Sequence, residues 1–354
     1  MKENSAPLRF VDFVGNQNLV ELLWGKTLPP ASIFAGPKGI GKATLAISLA
    51  ALANCDQKHN GDLCGHCPSC MKVRSRNHPD VFFFDHNWIE TFLKSRKKRP
   101  NPRVIPVDVI RELIREVQFR PYQGNLRVFI LDEAHKLNKA AANSILKTLE
   151  EPSSTTRLVL LTPFPQSLLP TILSRCQLFT FGRLSQNEVT RYIKQRSIGS
   201  EDPELRAALS DGSIGTALAL DLKQMRTDRD RLLNLIQQWI ENPIFSSLFR
   251  IVESSGLSLE LKNRERVLEL LLLLQRLAED LYFLIVGTPK RIKNIDYAKK
   301  LQLLASGLTL SWVKTFLASI REALTDVEAY VNPSMCFETL WLKIELKQKN
   351  TFKT

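Results

Sequence analysis

The sequence predicts an α/β protein whose parallel sheet carries a phosphate loop, followed by a wholly helical remainder. Three observations lead there. An apolar run, Ser32-Ile33-Phe34-Ala35, feeds into Gly36-Pro37-Lys38-Gly39-Ile40-Gly41-Lys42 and then into an Ala/Leu-rich stretch. A second apolar run, Val128-Phe129-Ile130-Leu131, ends in Asp132-Glu133. Beyond Leu184 the apolar residues recur at helical spacing, with no strand-like run.

At 354 residues, 44% apolar and 24% charged, the chain has the composition of an ordinary globular protein of two or three domains. The first ten residues lack the apolar segment of a secretory signal. The most apolar stretch, Val267 to Val286, is interrupted by Glu269, Gln275, Arg276, Glu279 and Asp280, so it reads as a buried bundle helix and not a membrane span. A cytoplasmic protein without a membrane partner is expected. The formal charge of +13 suggests a polyanionic neighbour such as nucleic acid. Six cysteines without a signal favour a reducing compartment, and a metal site ahead of disulfides.

Taken in order, Phe10 to Gly15 precede an amphipathic segment, Asn18 to Leu28, and then Pro29-Pro30. The run 32–44 is a strand, a phosphate loop and a helix in the order a nucleotide site requires. Its glycines let backbone N–H groups turn inward around an anion, and the helix N-terminus adds partial positive charge. Lys42 would reach the β/γ-phosphates. A Ser or Thr should follow the lysine to hold Mg²⁺, but here it is Ala43. Thr44 comes one residue late, rotated about 100° around the helix. Phosphate binding is therefore expected, and metal-assisted hydrolysis is in question. The helix continues to about Ala53.

Cys55 and then Cys64, Cys67 and Cys70, at two C-x-x-C spacings, can supply four thiolates to one tetrahedral ion. Zinc suits such an all-sulfur site. His66 lies between ligands and reads as a bystander. A closed site of this kind staples a loop and performs no chemistry.

Residues 80–84 read as a buried strand. Lys94 to Arg103 gathers six positive charges in a proline-containing loop, read chiefly as solvated, with nucleic-acid contact as the alternative. Ile105 to Phe119 follows as an amphipathic helix, with apolar Val107, Ile110, Ile114 and Val117 at three- and four-residue spacing. The strand ending at Leu131 places two carboxylates where open α/β sheets bind ligands. Asp132 would hold Mg²⁺ and Glu133 would polarise an attacking water. A helix at 140–149 and a strand at 158–162 follow, the latter ending in Thr162, placed to sense a γ-phosphate. Pro170 to Cys176 leads into a last strand, Gln177 to Phe181.

The helical part opens with Ser185 to Ser197, where Ser185 and Glu188 form a capping box. Gly212 to Ala217 opens another helix, and long helices are expected at 229–241, 258–286, 309–331 and 334–348. Cys176 and Cys336 read as small core residues.

These residues together resemble the bacterial clamp-loader subunits of the AAA+ class. The features that carry the resemblance are the phosphate loop 36–44, the cysteine quartet, His78-Pro79-Asp80, the Asp132-Glu133-Ala134-His135 motif, Leu149-Glu150-Glu151-Pro152 and Ser174-Arg175-Cys176. Asn332-Pro333 with the amphipathic helix after it also looks like the family's collar.

The resemblance implies an AAA+ P-loop core at 1–182 with a zinc module inserted at 55–70, a helical lid at 183–222, and an all-α collar at 223–354. It also implies assembly with gamma/tau motor subunits and a delta subunit, and through them with the sliding clamp and primer-template DNA. Arg175 takes the position of the family's arginine finger, offered to a neighbour's ATP. The family's motors carry an arginine in a G-S-x-R motif where this chain has Gly215. With Ala43, this favours a stator kind of subunit, with weak or absent ATPase activity of its own, over an ATP-hydrolysing motor. A zinc-dependent DNA-binding module is the remaining alternative.

Overall fold

Five strands, all paired in parallel, form the sheet that the apolar runs predict: β1 (Ala31–Ala35), β2 (Val81–Phe84), β3 (Arg127–Leu131), β4 (Thr156–Thr162) and β5 (Gln177–Thr180). Their order is β2-β3-β4-β1-β5. The computed structural model describes residues 9–351 apart from 25, 27, 102, 197–200, 242–259 and 330. The described chain divides into two units. One runs to residue 198 and includes 210–218, and the other comprises 199–209 and the chain from 219 onward.

In the first unit β1 and β3 are buried at every position, as continuous apolar strands in the middle of a parallel sheet must be. Residues 80–84 differ from expectation. The strand itself, Val81–Phe84, is an edge strand in which only Phe84 is fully buried. An edge strand is covered on fewer sides, and local partners do the rest. Phe82 stacks on Phe129 with centroids 4.8 Å apart, and the Arg76 guanidinium lies 4.4 Å from the Phe83 ring.

The helices of this unit are α1 (Gln17–Leu23), α2 (Lys42–Ala53), α3 (Pro68–Arg74), α4 (His86–Ser95), α5 (Val107–Val117), α6 (Lys139–Glu150), α7 (Pro170–Leu173) and α8 (Gln186–Arg196), together with the expected helix after Gly212, Ile214–Ala219. Helix α1 is shorter than the segment 18–28 suggested, and residues 25 and 27 lie outside the described residues. On α5 the fully buried residues are Val109, Ile110 and Leu113, whereas Val107, Ile114 and Val117 flank that stripe half-buried. Helix α4 takes in Lys94, so the basic loop starts later than its charge run. Lys94 pairs with Glu90 at 2.6 Å, Arg96 with Glu112 at 3.1 Å and Lys98 with Asp108 at 2.6 Å. Helix α8 has its capping box: the Ser185 N–H donates to Glu188 Oε2 at 2.7 Å, and the Glu188 N–H returns to Ser185 Oγ at 3.3 Å. Ser197, the expected end of α8, lies outside the described residues.

The second unit is helical throughout its described residues, with helices Pro203–Leu209, Leu222–Glu241, Arg264–Ile285, Ala298–Ser306, Leu310–Glu328 and Pro333–Thr351. Residues 258, 259 and 330, inside two of the expected helices, lie outside the described residues. Its core is aromatic at the centre. Trp341 lies 5.4 Å from both Trp239 and Phe316, ring to ring. Asp280, one of the charges interrupting the apolar run, is buried and accepts N–H groups from Lys293 and Asn294, each at 2.9 Å. A buried carboxylate needs such donors. No single described helix is long and apolar enough to cross a membrane.

Candidate functional site

The phosphate loop, Asp132 and Thr162 come together at the C-terminal edge of β1, β3 and β4. The Gly36 N–H donates to the Thr162 carbonyl at 3.1 Å, and the Asp132 N–H donates to the Phe84 carbonyl at 3.1 Å. Ile40 is buried under the loop, while Lys38 and Gly39 are exposed. Sequence reasoning thus assembled the right segments. The polar atoms, however, are turned toward one another.

Lys42 Nζ donates to the carbonyls of Gly36 at 2.6 Å and Pro37 at 2.7 Å, and the residue is 8% exposed. Burial pushes its ammonium down to about 8, against the pull of the Asp132 charge. The unfolded chain holds this proton up to a pKa of about 10.4. Between these values the unfolded state binds more protons, so stability rises with pH. Below about 8 both states are protonated and the full cost remains. The shift of roughly two units corresponds to about 3 kcal/mol. Lys42→Met is therefore expected to stabilise the chain at pH 7, by an amount that shrinks as pH approaches 10. Denaturant unfolding across that range measures it, and a gain independent of pH contradicts it.

Asp132 Oδ1 accepts the Glu133 N–H at 2.8 Å, and burial raises the Asp132 carboxyl above its usual range. Glu133 adopts the left-handed conformation (φ 52°) and pairs with Lys136 at 2.7 Å. Thr162 is fully buried, and its Oγ1 accepts the Phe164 N–H at 3.0 Å. Ala43, in the first turn of α2, offers no hydroxyl, and Thr44 follows it half-buried.

A second strip of chain closes over the loop. Ser213 Oγ donates to the Lys38 carbonyl and the Gly215 N–H to the Gly39 carbonyl, both at 2.9 Å. Gly39 (φ 73°) has no room for a Cβ, which would stand 2.5 Å from Ser213 Oγ. A Cβ on Gly215 would lie 2.9 Å from Gly39 Cα and from Gly39 O. As arranged, the lysine faces inward and no hydroxyl stands ready for Mg²⁺, so these residues fit a magnesium nucleotide poorly.

Arg175 follows α7 and precedes β5, and its hydrogen-bond partners come from outside the phosphate loop. Its Nε donates to Glu150 Oε1 at 2.6 Å, its Nη2 lies 2.5 Å from the same oxygen, and its Nη1 donates to the Thr171 carbonyl at 2.9 Å. Cys176 is half-buried beside the core, and burial pushes its thiol up to about 12.

The four cysteines converge. The sulfurs of Cys55, Cys64, Cys67 and Cys70 lie within 4.8 Å of one another, with Cys55–Cys64 at 3.6 Å and Cys55–Cys67 at 4.0 Å. A tetrahedron with metal–sulfur bonds of about 2.3 Å has edges of about 3.8 Å. The N–H groups of Cys64, Cys67 and Cys70 point at the sulfurs of Cys55, Cys64 and Cys67, at 3.4, 3.3 and 3.4 Å. Such donors stabilise thiolates, and the quartet fits a thiolate-bound metal. His66 is exposed and turned to the Cys64 carbonyl, as a bystander would be.

Two buried carboxylates tie this module to distant chain; Asp80 was marked through the His78-Pro79-Asp80 resemblance, whereas Asp62 had no signal. Asp62 accepts the N–H of Phe10 at 3.0 Å and of Val11 at 3.4 Å, and Phe13 beyond them packs over Gly41. Asp80 accepts the N–H groups of Tyr122, Gln123 and Gly124 at 2.7, 2.8 and 2.7 Å, while His78 beside it meets Ser69 of α3 at 3.1 Å.

Residues 16–185 match the family model described as "DNA polymerase III, delta subunit". The chain is 30% identical over 259 residues to DNA polymerase III subunit tau/gamma of Haemophilus influenzae, covering 70% of this chain and 34% of that protein. It is 32% identical over 221 residues to DNA polymerase III subunit delta' of Pseudomonas aeruginosa, covering 61% of this chain and 63% of that one. The chain thus spans about a third of the tau/gamma relative's length. Among solved structures, the Bacillus subtilis clamp loader delta protein aligns over 93% of this chain and 99% of its own, at 12% identity and a TM-score of 0.36.

Proposed function

We propose that the chain, similar to DNA polymerase III clamp-loader subunits, is a member of that family and works as a delta-prime-type stator. It would complete the loader ring and present Arg175 to the ATP of an adjacent gamma/tau motor. The loader would then place the sliding clamp on primer-template DNA. The observation that carries this reading is the backbone pair between Gly215 and Gly39. At the position where the resemblance places a motor's second-sensor arginine, this pair leaves no room for a side chain. The inward turn of Lys42 and the missing hydroxyl at Ala43 support it further.

In this reading the quartet Cys55, Cys64, Cys67 and Cys70 holds a structural Zn²⁺. Residues 1–182 form the AAA+ core, 183–222 the lid and 223–354 the collar that meets the gamma/tau and delta subunits, in the cytoplasm. The phosphate loop 36–44, with Asp132 and Thr162, would hold nucleotide without appreciable turnover, and Glu133 would be vestigial.

Lys42→Ala in this chain alone is expected to leave ATP turnover of the reconstituted loader, with clamp and primed DNA, at the wild-type level. A collapse of turnover with assembly intact would instead make this chain one of the engines.

A further inference from the structure

We propose that Glu150 is the positioning residue for Arg175, orienting the guanidinium so that it meets a neighbour's phosphate pre-set; the proposal rests on the finger reading above. Nε and Nη2 of Arg175 share one oxygen, Glu150 Oε1, at 2.6 and 2.5 Å. Nη1 is held from the other side by the Thr171 carbonyl at 2.9 Å and by Ser174 Oγ at 3.3 Å. Three acceptors, one at the end of α6 and two on the α7 turn, therefore fix the plane of a group that is still one-third exposed. A long side chain on a surface ordinarily samples many rotamers, and fixing it in advance removes that loss from the docking step.

The location of Glu150 adds a second argument. It is the last residue of α6, where the partial negative charge of the helix end disfavours a carboxylate. Glu151 follows it, so like charges adjoin. Nothing in the stability of α6 calls for an acid there. Among the described residues its ion-pair partner is Arg175, and the pair joins two segments that the sheet order brings to one face. Because both side chains are substantially exposed, the pair adds little to folding. Orientation of the guanidinium is what remains for it to do.

The test is single-turnover ATP hydrolysis by the loader reconstituted with its motor subunits, clamp and primed DNA. Variants Glu150→Ala, Glu150→Gln and Arg175→Ala, and the double variant Glu150→Ala/Arg175→Ala, are made in this chain. Glu150→Ala is expected to lower the maximal rate about tenfold, leaving the ATP concentration for half-maximal rate and the assembled mass unchanged. Glu150→Gln keeps an oxygen that accepts from Nε and is expected to recover most of the rate. In the Arg175→Ala background, Glu150→Ala is expected to change nothing further. A purely structural role would still register there.

Wild-type or faster hydrolysis by Glu150→Ala, alongside slow hydrolysis by Arg175→Ala, overturns the positioning role and leaves the finger standing. Unchanged hydrolysis by Arg175→Ala removes the finger itself and the proposal with it. A further loss in the double variant also overturns the proposal, since Glu150 would then act apart from Arg175.

Discussion

Arg175→Ala in this chain is expected to slow ATP hydrolysis at the adjacent motor site by about 10³-fold or more. The reason is charge. Phosphoryl transfer spreads negative charge over the equatorial oxygens, and a guanidinium brought to them stabilises the transition state more than the ground state. Arg175 stands just before edge strand β5 and is one-third exposed. Assembly should survive, because an exposed ion pair contributes little to folding. Single-turnover hydrolysis together with the mass of the complex measures both parts. Turnover equal to wild type would remove the finger.

The second large effect is expected from the cysteine quartet. Metal analysis should find one zinc per chain, and Cys70→Ser should destabilise the chain by on the order of 5 kcal/mol. That is a fraction of the roughly 10–16 kcal/mol that structural zinc contributes in small peptides. The module is not a free appendage. Asp62 holds Phe10 and Val11, Trp24 Nε1 donates to the Asn60 carbonyl at 3.3 Å, and Ser69 meets His78. Loosening the quartet therefore releases the segment that packs Phe13 over Gly41. Denaturant unfolding of wild type and variant reads the loss. A metal-free chain of unchanged stability would refute the staple.

Much of this was visible in the residues because it rests on local rules. Apolar runs become central strands, Gly-x-Gly turns become phosphate loops, and C-x-x-C pairs bring sulfurs together. The capping box of α8 was legible for the same reason. Helices α3, Pro203–Leu209 and Ala298–Ser306 were missed, being short, and α4 was missed although Trp88, Ile89, Phe92 and Leu93 recur at helical spacing. Phe82 and Phe83 misled because an aromatic run signals a strand but says nothing of edge or centre. The ties through Asp62 and Asp80 join residues far apart in sequence, where no period exists to read. Glu150 was in plain sight within Leu149-Glu150-Glu151-Pro152, yet its partner lies on another element. Gly215 marked a missing arginine, but only the fold brings it against Gly39.

The strand order bears on how the chain is made. β1 is made well before its neighbours β4 and β5: Ala31 pairs with Leu158 and Ser32 with Gln177. At about 5–20 residues per second, its apolar edges stay unpaired for on the order of ten seconds of synthesis. Neither edge can be satisfied by the strands made next, since β2 pairs with β3 and β3 with β4. The nascent chain thus carries an exposed Ile33-Phe34 strand until β4 emerges. The sheet can therefore be completed only when most of the first unit has been translated.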